Sequence, residues 1–372
     1  MRPDYTHSIV NLTASIMNHY GEKPLHPTLK TLDEALEKDF DHVVLILLDG
    51  FGTNLFDKHL DKDAFMPAHN KTTLTSVFPS TTVAATTAVL TGKTPYESGY
   101  LGWFQYFPDE DIHYQVFMNS DYYDESKTIP DSFFKTHFKQ TTFLEKIGAS
   151  NKDVKTASFF PSKVDADNGH DTFEKGFDHV LKLHEDHSRT LSYLYCIEPD
   201  LSEHQYGVDS DRVRKRARYL NDTLQRYRKK AGENTLFIVT ADHGLTDVKP
   251  IHLFDYHDIC STMRAFPANE PRMTSFFIKE DKQEYFMRFF NEHFSEDYDL
   301  YTTREFLSKG LLGSGEKSPL VDKTLGDFIA VAKTDKYFKL SDKKNHLAHH
   351  AGPTPDEMQV PLILFTGEGK KE

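Results

Sequence analysis

Three short apolar runs, each stopped by an acidic turn, constrain the fold of this chain more than any other feature. His42 to Leu48 (HVVLILL) ends at Asp49-Gly50, and Leu191 to Ile197 (LSYLYCI) ends at Glu198-Pro199-Asp200. Thr235 to Thr240 (TLFIVT) ends at Ala241-Asp242-His243-Gly244. Runs that are apolar on both faces read as central strands of a parallel sheet covered by helices. Helical patterns lie between them, such as Ser210 to Ala231 with its Arg and Lys crowded on one side. This alternation predicts a three-layer α/β/α sandwich around a mostly parallel central sheet. In such sheets ligands bind at the carboxyl edge, where the loops that follow the strands open together. A lone Asp-Gly is usually just a turn. Three acids at one edge, two with a histidine nearby, point to chemistry.

After His257 the pattern changes. Met273 to Lys279 reads as a strand, Lys282 to His293 as a helix, Thr303 to Lys309 as a shorter helix and Phe328 to Lys333 as another strand. Gly310 to Pro319 is a loop rich in Gly and Ser. Residues 266–340 are therefore expected to form a small inserted α+β cap. The catalytic α/β domain would comprise 1–265 and a closing segment, 341–372, that returns to the main sheet through Val360 to Phe365.

The chain has 372 residues, with 57 Asp plus Glu against 44 Lys plus Arg, a formal net charge of −13. That balance, with no basic block, excludes broad binding to nucleic-acid polymers, which depends on cations against phosphates. A site for a small anion remains open, because bound metal ions would reverse the charge locally. The only cysteines are Cys196 and Cys260. No disulfide framework follows, and Cys196 in its apolar run reads as a buried free thiol. No run is apolar for the roughly 18 residues that span a bilayer, and residues 1–20 lack a secretory pattern. A cytoplasmic location away from membranes is the expectation. The sequence leaves the oligomeric state open.

The acids have partners at useful spacings. Asp200 and His204 would share one face of a helix, and Asp242 and His243 sit together at a sharp turn. Oxygen and nitrogen ligands of this kind suit Zn²⁺, with Mn²⁺ as the competitor. Near the C-terminus His346, His349 and His350 precede a helix start, with Thr354 as N-cap, Pro355 at the first position and Glu357 closing a capping box. Either His349 or His350 is placed to supply a further ligand; taken alone, each is an ordinary surface histidine. Val77 to Gly92 (VFPSTTVAATTAVLTG) reads as a turn leading into an Ala-rich helix closed by Gly92. A hydroxyl at that helix start lies in a field that favours an oxyanion and phosphate. The plain alternative is that Ser80, Thr81 and Thr82 only cap the helix.

Four ordered segments carry a resemblance: LLDG at 47–50, FPSTT at 78–82, PDLSEH at 199–204 and TADHG at 240–244. With HHAGPTPDEMQVPLI at 349–363, they resemble the alkaline phosphatase superfamily, in its type I phosphodiesterase and nucleotide pyrophosphatase branch. The resemblance implies a hydrolase of phosphate esters, most simply diesters, with two zinc ions. Asp49, Asp242 and His243 would hold one ion together with the nucleophile Thr82, and Asp200, His204 and His350 would hold the other. His350 is chosen over His349 because two small residues, Ala351 and Gly352, follow it. Thr82 fits the branch's Pro-Ser/Thr-any-Thr pattern and would pass through a phospho-threonine. Phosphomonoester and phosphonate hydrolysis are the alternatives on the same scaffold.

The chain departs from the branch in one respect. Nucleotide pyrophosphatases follow the Thr with Pro-Asn-His, whereas Val83 here is followed by Ala84, Ala85 and Thr86. The missing Asn weighs against nucleotide substrates. Asn119, Tyr100, Trp103, Phe104 and Tyr106 are the candidates to line the pocket in its place. Sulfatase chemistry needs a Cys or Ser setting that neither cysteine has, and the related phosphoglycerate mutases use Ser rather than Thr. A non-catalytic metal-binding protein would have no need of Thr82. Gly310 to Ser318 lacks the Gly-Lys pair of a nucleotide triphosphatase loop.

Overall fold

A computed structural model describes residues 1–166, 169–342 and 344–369. The three apolar runs form neighbouring parallel strands, His42–Leu48 in the middle with Thr190–Cys196 and Thr235–Thr240 on either side. Lys155–Phe159 extends the sheet in parallel beyond Thr190–Cys196. On the other side Gln359–Thr366 runs antiparallel to Thr235–Thr240, and Asn70–Thr75 closes the edge. Leu48 pairs with Cys196 and Leu47 with Thr240, so the central strands end level. Every residue from Val43 to Leu48 is buried, as a strand apolar on both faces requires.

Helices cover both faces. Ile9–His19, Lys30–Leu36, Thr82–Thr91 and Phe143–Ser150 form one connected layer, and Asn54–His59, Phe65–His69, Phe173–Asp186 and Asp211–Arg228 form another. The sandwich expected from the sequence is the fold observed.

A second sheet of seven strands, with antiparallel pairings, stands beside the first. Its order is Tyr298–Thr302, Phe328–Ala332, Met273–Ile278, Met263–Asn269, Phe104–Phe107, Ile112–Gln115 and Ser120–Asp121. Helix Gln283–Phe294 lays Phe286, Phe290 and Phe294 on this sheet at four-residue spacing. Residues 104–121 supply three of its strands, so the sheet reaches well outside the 266–340 segment.

Candidate metal centre and active site

Strand direction delivers the site residues. Asp49, Asp200 and Asp242 follow three level, parallel strands and so emerge together. Strand Gln359–Thr366 runs the opposite way, so the residues before it, His350 among them, begin at the same edge. Thr75 pairs with Gln359, so the strand leading to Thr82 also ends there. Backbone bonds knit the edge: the Asp200 N–H donates to the Asp49 carbonyl (3.0 Å) and the Gly50 N–H to Asp242 Oδ1 (3.1 Å). Gly50 has φ 77°, and a Cβ there would lie 2.8 Å from the Asp200 Cα, so no larger residue fits.

The side chains converge in two overlapping groups. Asp200, His204 and His350 offer ligand atoms within 4.8 Å of one another, and so do Asp49, Asp200 and His243. Asp242 adjoins the second group, its Oδ2 3.5 Å from His243 Nε2. Thr82 opens helix Thr82–Thr91, and its Oγ1 lies 3.1 Å from His243 Nε2. The His204 Nδ1 meets the Ala348 carbonyl at 2.8 Å, which turns Nε2 toward Asp200 Oδ1 at 3.3 Å. That is the arrangement by which a backbone carbonyl orients a ligating imidazole. Of the two adjacent histidines, His350 belongs to the ligand grouping, its Nε2 3.9 Å from Asp200 Oδ1. His349 instead accepts the His350 N–H at its Nδ1 (3.0 Å).

The electrostatics of the cluster call for cations. Asp49 Oδ1, Asp200 Oδ1 and Asp242 Oδ2 are all buried and accept no hydrogen bond. Burial, then the Asp242 and Asp200 charges, push the Asp49 carboxyl well above its ordinary value. Burial raises Asp242 as well, against the pull of His243. Burial also opposes ionisation of Asp200, but His204 and His243 overcome it and leave that carboxyl low. Burial, with His243 and His204 close by, keeps His350 neutral far below the usual imidazole range. Packed carboxylates with unused oxygens beside a neutral imidazole fit divalent cations, which bind deprotonated groups and offset their repulsion.

A cavity of about 320 Å³ opens over the cluster, lined by Thr82, Asp200, His204 and His350 on one side. Trp103, Phe104, Tyr122 and Glu270 line the other side, with Phe104 stacked on Tyr122 at 3.8 Å between ring centroids. Trp103 and Phe104 line this cavity. Tyr100 and Asn119 do not. The Tyr100 hydroxyl donates to the Phe138 carbonyl inside an aromatic cluster. Asn119 occupies an exposed turn at φ 49°, its Oδ1 taken by the Tyr114 hydroxyl. Tyr106 is packed between His113 and Phe277.

Two more residues flank the site: His346, from the histidine run, and Glu270, which carried no signal in the sequence. His346 sets its ring at a tilt to that of His204, 4.4 Å between centroids, and desolvation lowers it to about 4. Glu270, just past strand Met263–Asn269, is 1 % exposed. Its Oε1 accepts the Thr81 hydroxyl (2.5 Å) and the Trp103 N–H (2.6 Å), and burial raises the carboxyl to about 7. Thr81, at the N-cap position, thus spends its side chain on Glu270 and makes no capping bond.

Among the described residues no helix is long and apolar enough to cross a membrane. Solved structures of murine ectonucleotide pyrophosphatase/phosphodiesterase 5 share this fold at 18 % identity. The alignment covers 89 % of this chain and 91 % of theirs, with TM-scores of 0.66 and 0.65. The second of them is an inactive form in complex with AMP. The human counterpart aligns with a TM-score of 0.63 at 17 % identity, over 89 % of this chain and 90 % of that one. No curated protein matches the chain. The family model for type I phosphodiesterase/nucleotide pyrophosphatase matches residues 43–354, a span that holds every group of the cluster. The chain belongs to that family and is a phosphoric ester hydrolase of the metal-dependent kind.

Proposed function

We propose that the chain cleaves phosphodiesters by double displacement at Thr82, with one zinc ion held by Asp49, Asp242 and His243 and another by Asp200, His204 and His350. The observation that carries this reading is the position of Thr82. Its hydroxyl lies 3.1 Å from His243 Nε2, at a helix start and among three carboxylates with unused buried oxygens. Two bound dications supply charge stabilisation to the phosphoryl oxygens and make a hydroxyl easier to ionise.

The rest falls to the protein. The N-terminus of helix Thr82–Thr91 directs its free N–H groups at developing negative charge. Thr82 Oγ1 gives up its proton and bonds to phosphorus as the bond to the leaving alcohol oxygen breaks, and that oxygen takes a proton. Water then cleaves the phospho-threonine, which releases the remaining monoester and restores the hydroxyl. Trp103, Phe104 and Tyr122 form the wall against which the leaving group packs, with Phe104 on the second sheet and Trp103 and Tyr122 beside its strands. The murine relative's complex with AMP supports a nucleotide-derived diester as one substrate to try.

Thr82→Ala tests the reading. With zinc present, hydrolysis of bis-p-nitrophenyl phosphate is expected to fall at least ~10³-fold, as for loss of other covalent nucleophiles. Bound zinc, measured by elemental analysis, stays at the wild-type level. A variant retaining most of its activity would remove Thr82 from the mechanism.

A further inference from the structure

Among the described residues, Glu270 is the one acid of the cavity wall that belongs to neither ligand grouping. Its Oε1 is fully engaged by Thr81, next to the nucleophile, and by the Trp103 backbone. These two bonds fix the carboxyl against Thr81, the neighbour of Thr82, and both donors are uncharged, so the carboxyl carries its full charge above about pH 7. Its other neighbours across the cavity include His204 and Asp200, so it lies within electrostatic reach of the same cluster. Among the described residues no cation pairs with it. Lys339 and Lys344 line the same cavity but are half-buried and exposed, where solvent weakens their effect.

The charge balance gives this carboxylate a consequence. Asp49, Asp200 and Asp242 with an ionised Thr82 bring four negative charges, which two dications match and do not exceed. Glu270, raised by burial to about 7, adds a fifth above that pH. A diester phosphate carries one negative charge, whereas a monoester carries about 1.5 to 2 at neutral pH. The additional charge of a monoester is therefore resisted by a buried carboxylate held in place. We infer that Glu270 is a specificity-determining residue that selects phosphodiesters by repelling dianionic phosphate. The inference rests on the reading of Thr82 and the two metal sites given above, and deepens it by naming what the site turns away.

The test uses the full chain loaded with zinc at about pH 8.5, where Glu270 is ionised, and compares wild type, Glu270→Gln and Glu270→Asp. The ratio of kcat/KM for bis-p-nitrophenyl phosphate over p-nitrophenyl phosphate is the first readout. Glu270→Gln keeps the acceptor oxygen and removes the charge, and is expected to lower the ratio about tenfold, a size usual for one partly screened charge. Glu270→Asp keeps the charge and should keep the ratio within about threefold. The second readout is calorimetric binding of inorganic phosphate, which needs no turnover and should tighten in Glu270→Gln alone. An equal fall in both activities with unchanged phosphate affinity would mean a purely structural carboxylate and overturn the inference. Wild-type protein that cleaves neither ester would sink the catalytic reading instead. In that case phosphate affinity still decides the role of Glu270: unchanged affinity in Glu270→Gln overturns it.

Discussion

Thr81 and Thr82 are adjacent hydroxyls at one helix start, yet their surroundings give them opposite tasks. Thr81 points to the second sheet and anchors Glu270, while Thr82 points to His243. A capping role, the ordinary expectation for such residues, is taken by neither side chain. Glu270 in turn is held in a state that burial disfavours when ionised. Its pKa moves from 4.5 up to about 7 on folding, so the folded state prefers the protonated form. The associated stability is complete below about pH 4.5 and is lost as pH rises through about 7. In metal-free protein, Glu270→Gln should therefore gain melting temperature over wild type progressively between pH 5 and pH 8. Thermal unfolding with chelator at several pH values reads this directly. A difference that is flat with pH would mean that the carboxyl ionises in the folded protein without penalty.

At the scale of elements, the closing segment depends on a brace from the second sheet. The Arg272 Nε donates to Glu357 Oε1 (2.7 Å), and a terminal guanidinium nitrogen donates to Oε2 (2.8 Å), with both side chains fully buried. Glu357 also accepts the Gly352 N–H at 2.7 Å and the Thr354 hydroxyl at 2.6 Å, so one carboxylate shapes the turn that follows His350. Thr354, Pro355 and Glu357 were legible as a helix start from their spacing, and the capping box is present. The partner was not, because nothing local marks Arg272 as the cation that neutralises that box. Strands Phe104–Phe107 and Ile112–Gln115 were missed for a related reason. At four residues each they are too short for a periodic signal, and their pairing is set by distant strands. Removing one partner of a buried ion pair leaves the other charge stranded, at about 3–5 kcal/mol. Arg272→Met should destabilise by that amount in urea titration. Replacing Glu357 by Leu in the same chain should recover part of the loss. A single variant within about 1 kcal/mol of wild type would show that water reaches Glu357 and solvates it.

At the scale of the whole molecule, two sheets meet over one cavity and bring different chemistry to it. The main sheet supplies every group of the two ligand groupings, and its order could be read because level parallel strands of buried residues leave an unmistakable pattern. The second sheet supplies Trp103, Phe104 and Glu270, whose nearness to Thr82 comes from packing between sheets and has no sequence period. The ligand groups impose a strain on the whole fold. Asp49, Asp200 and Asp242 each bury an oxygen with nothing to bond, so folding without cations works against their mutual repulsion. A ligand that binds only the folded chain stabilises it in proportion to the logarithm of its concentration over its dissociation constant, about 4 kcal/mol at a thousandfold excess. Chelator should therefore lower the melting temperature by several degrees, and zinc should restore it with about two ions bound per chain. Asp200→Asn, which removes a charge common to both groupings, should shrink the restoration and lower the bound zinc. Melting that ignores both chelator and zinc, with less than one ion bound, would mean that the three carboxylates are satisfied by protons and water alone.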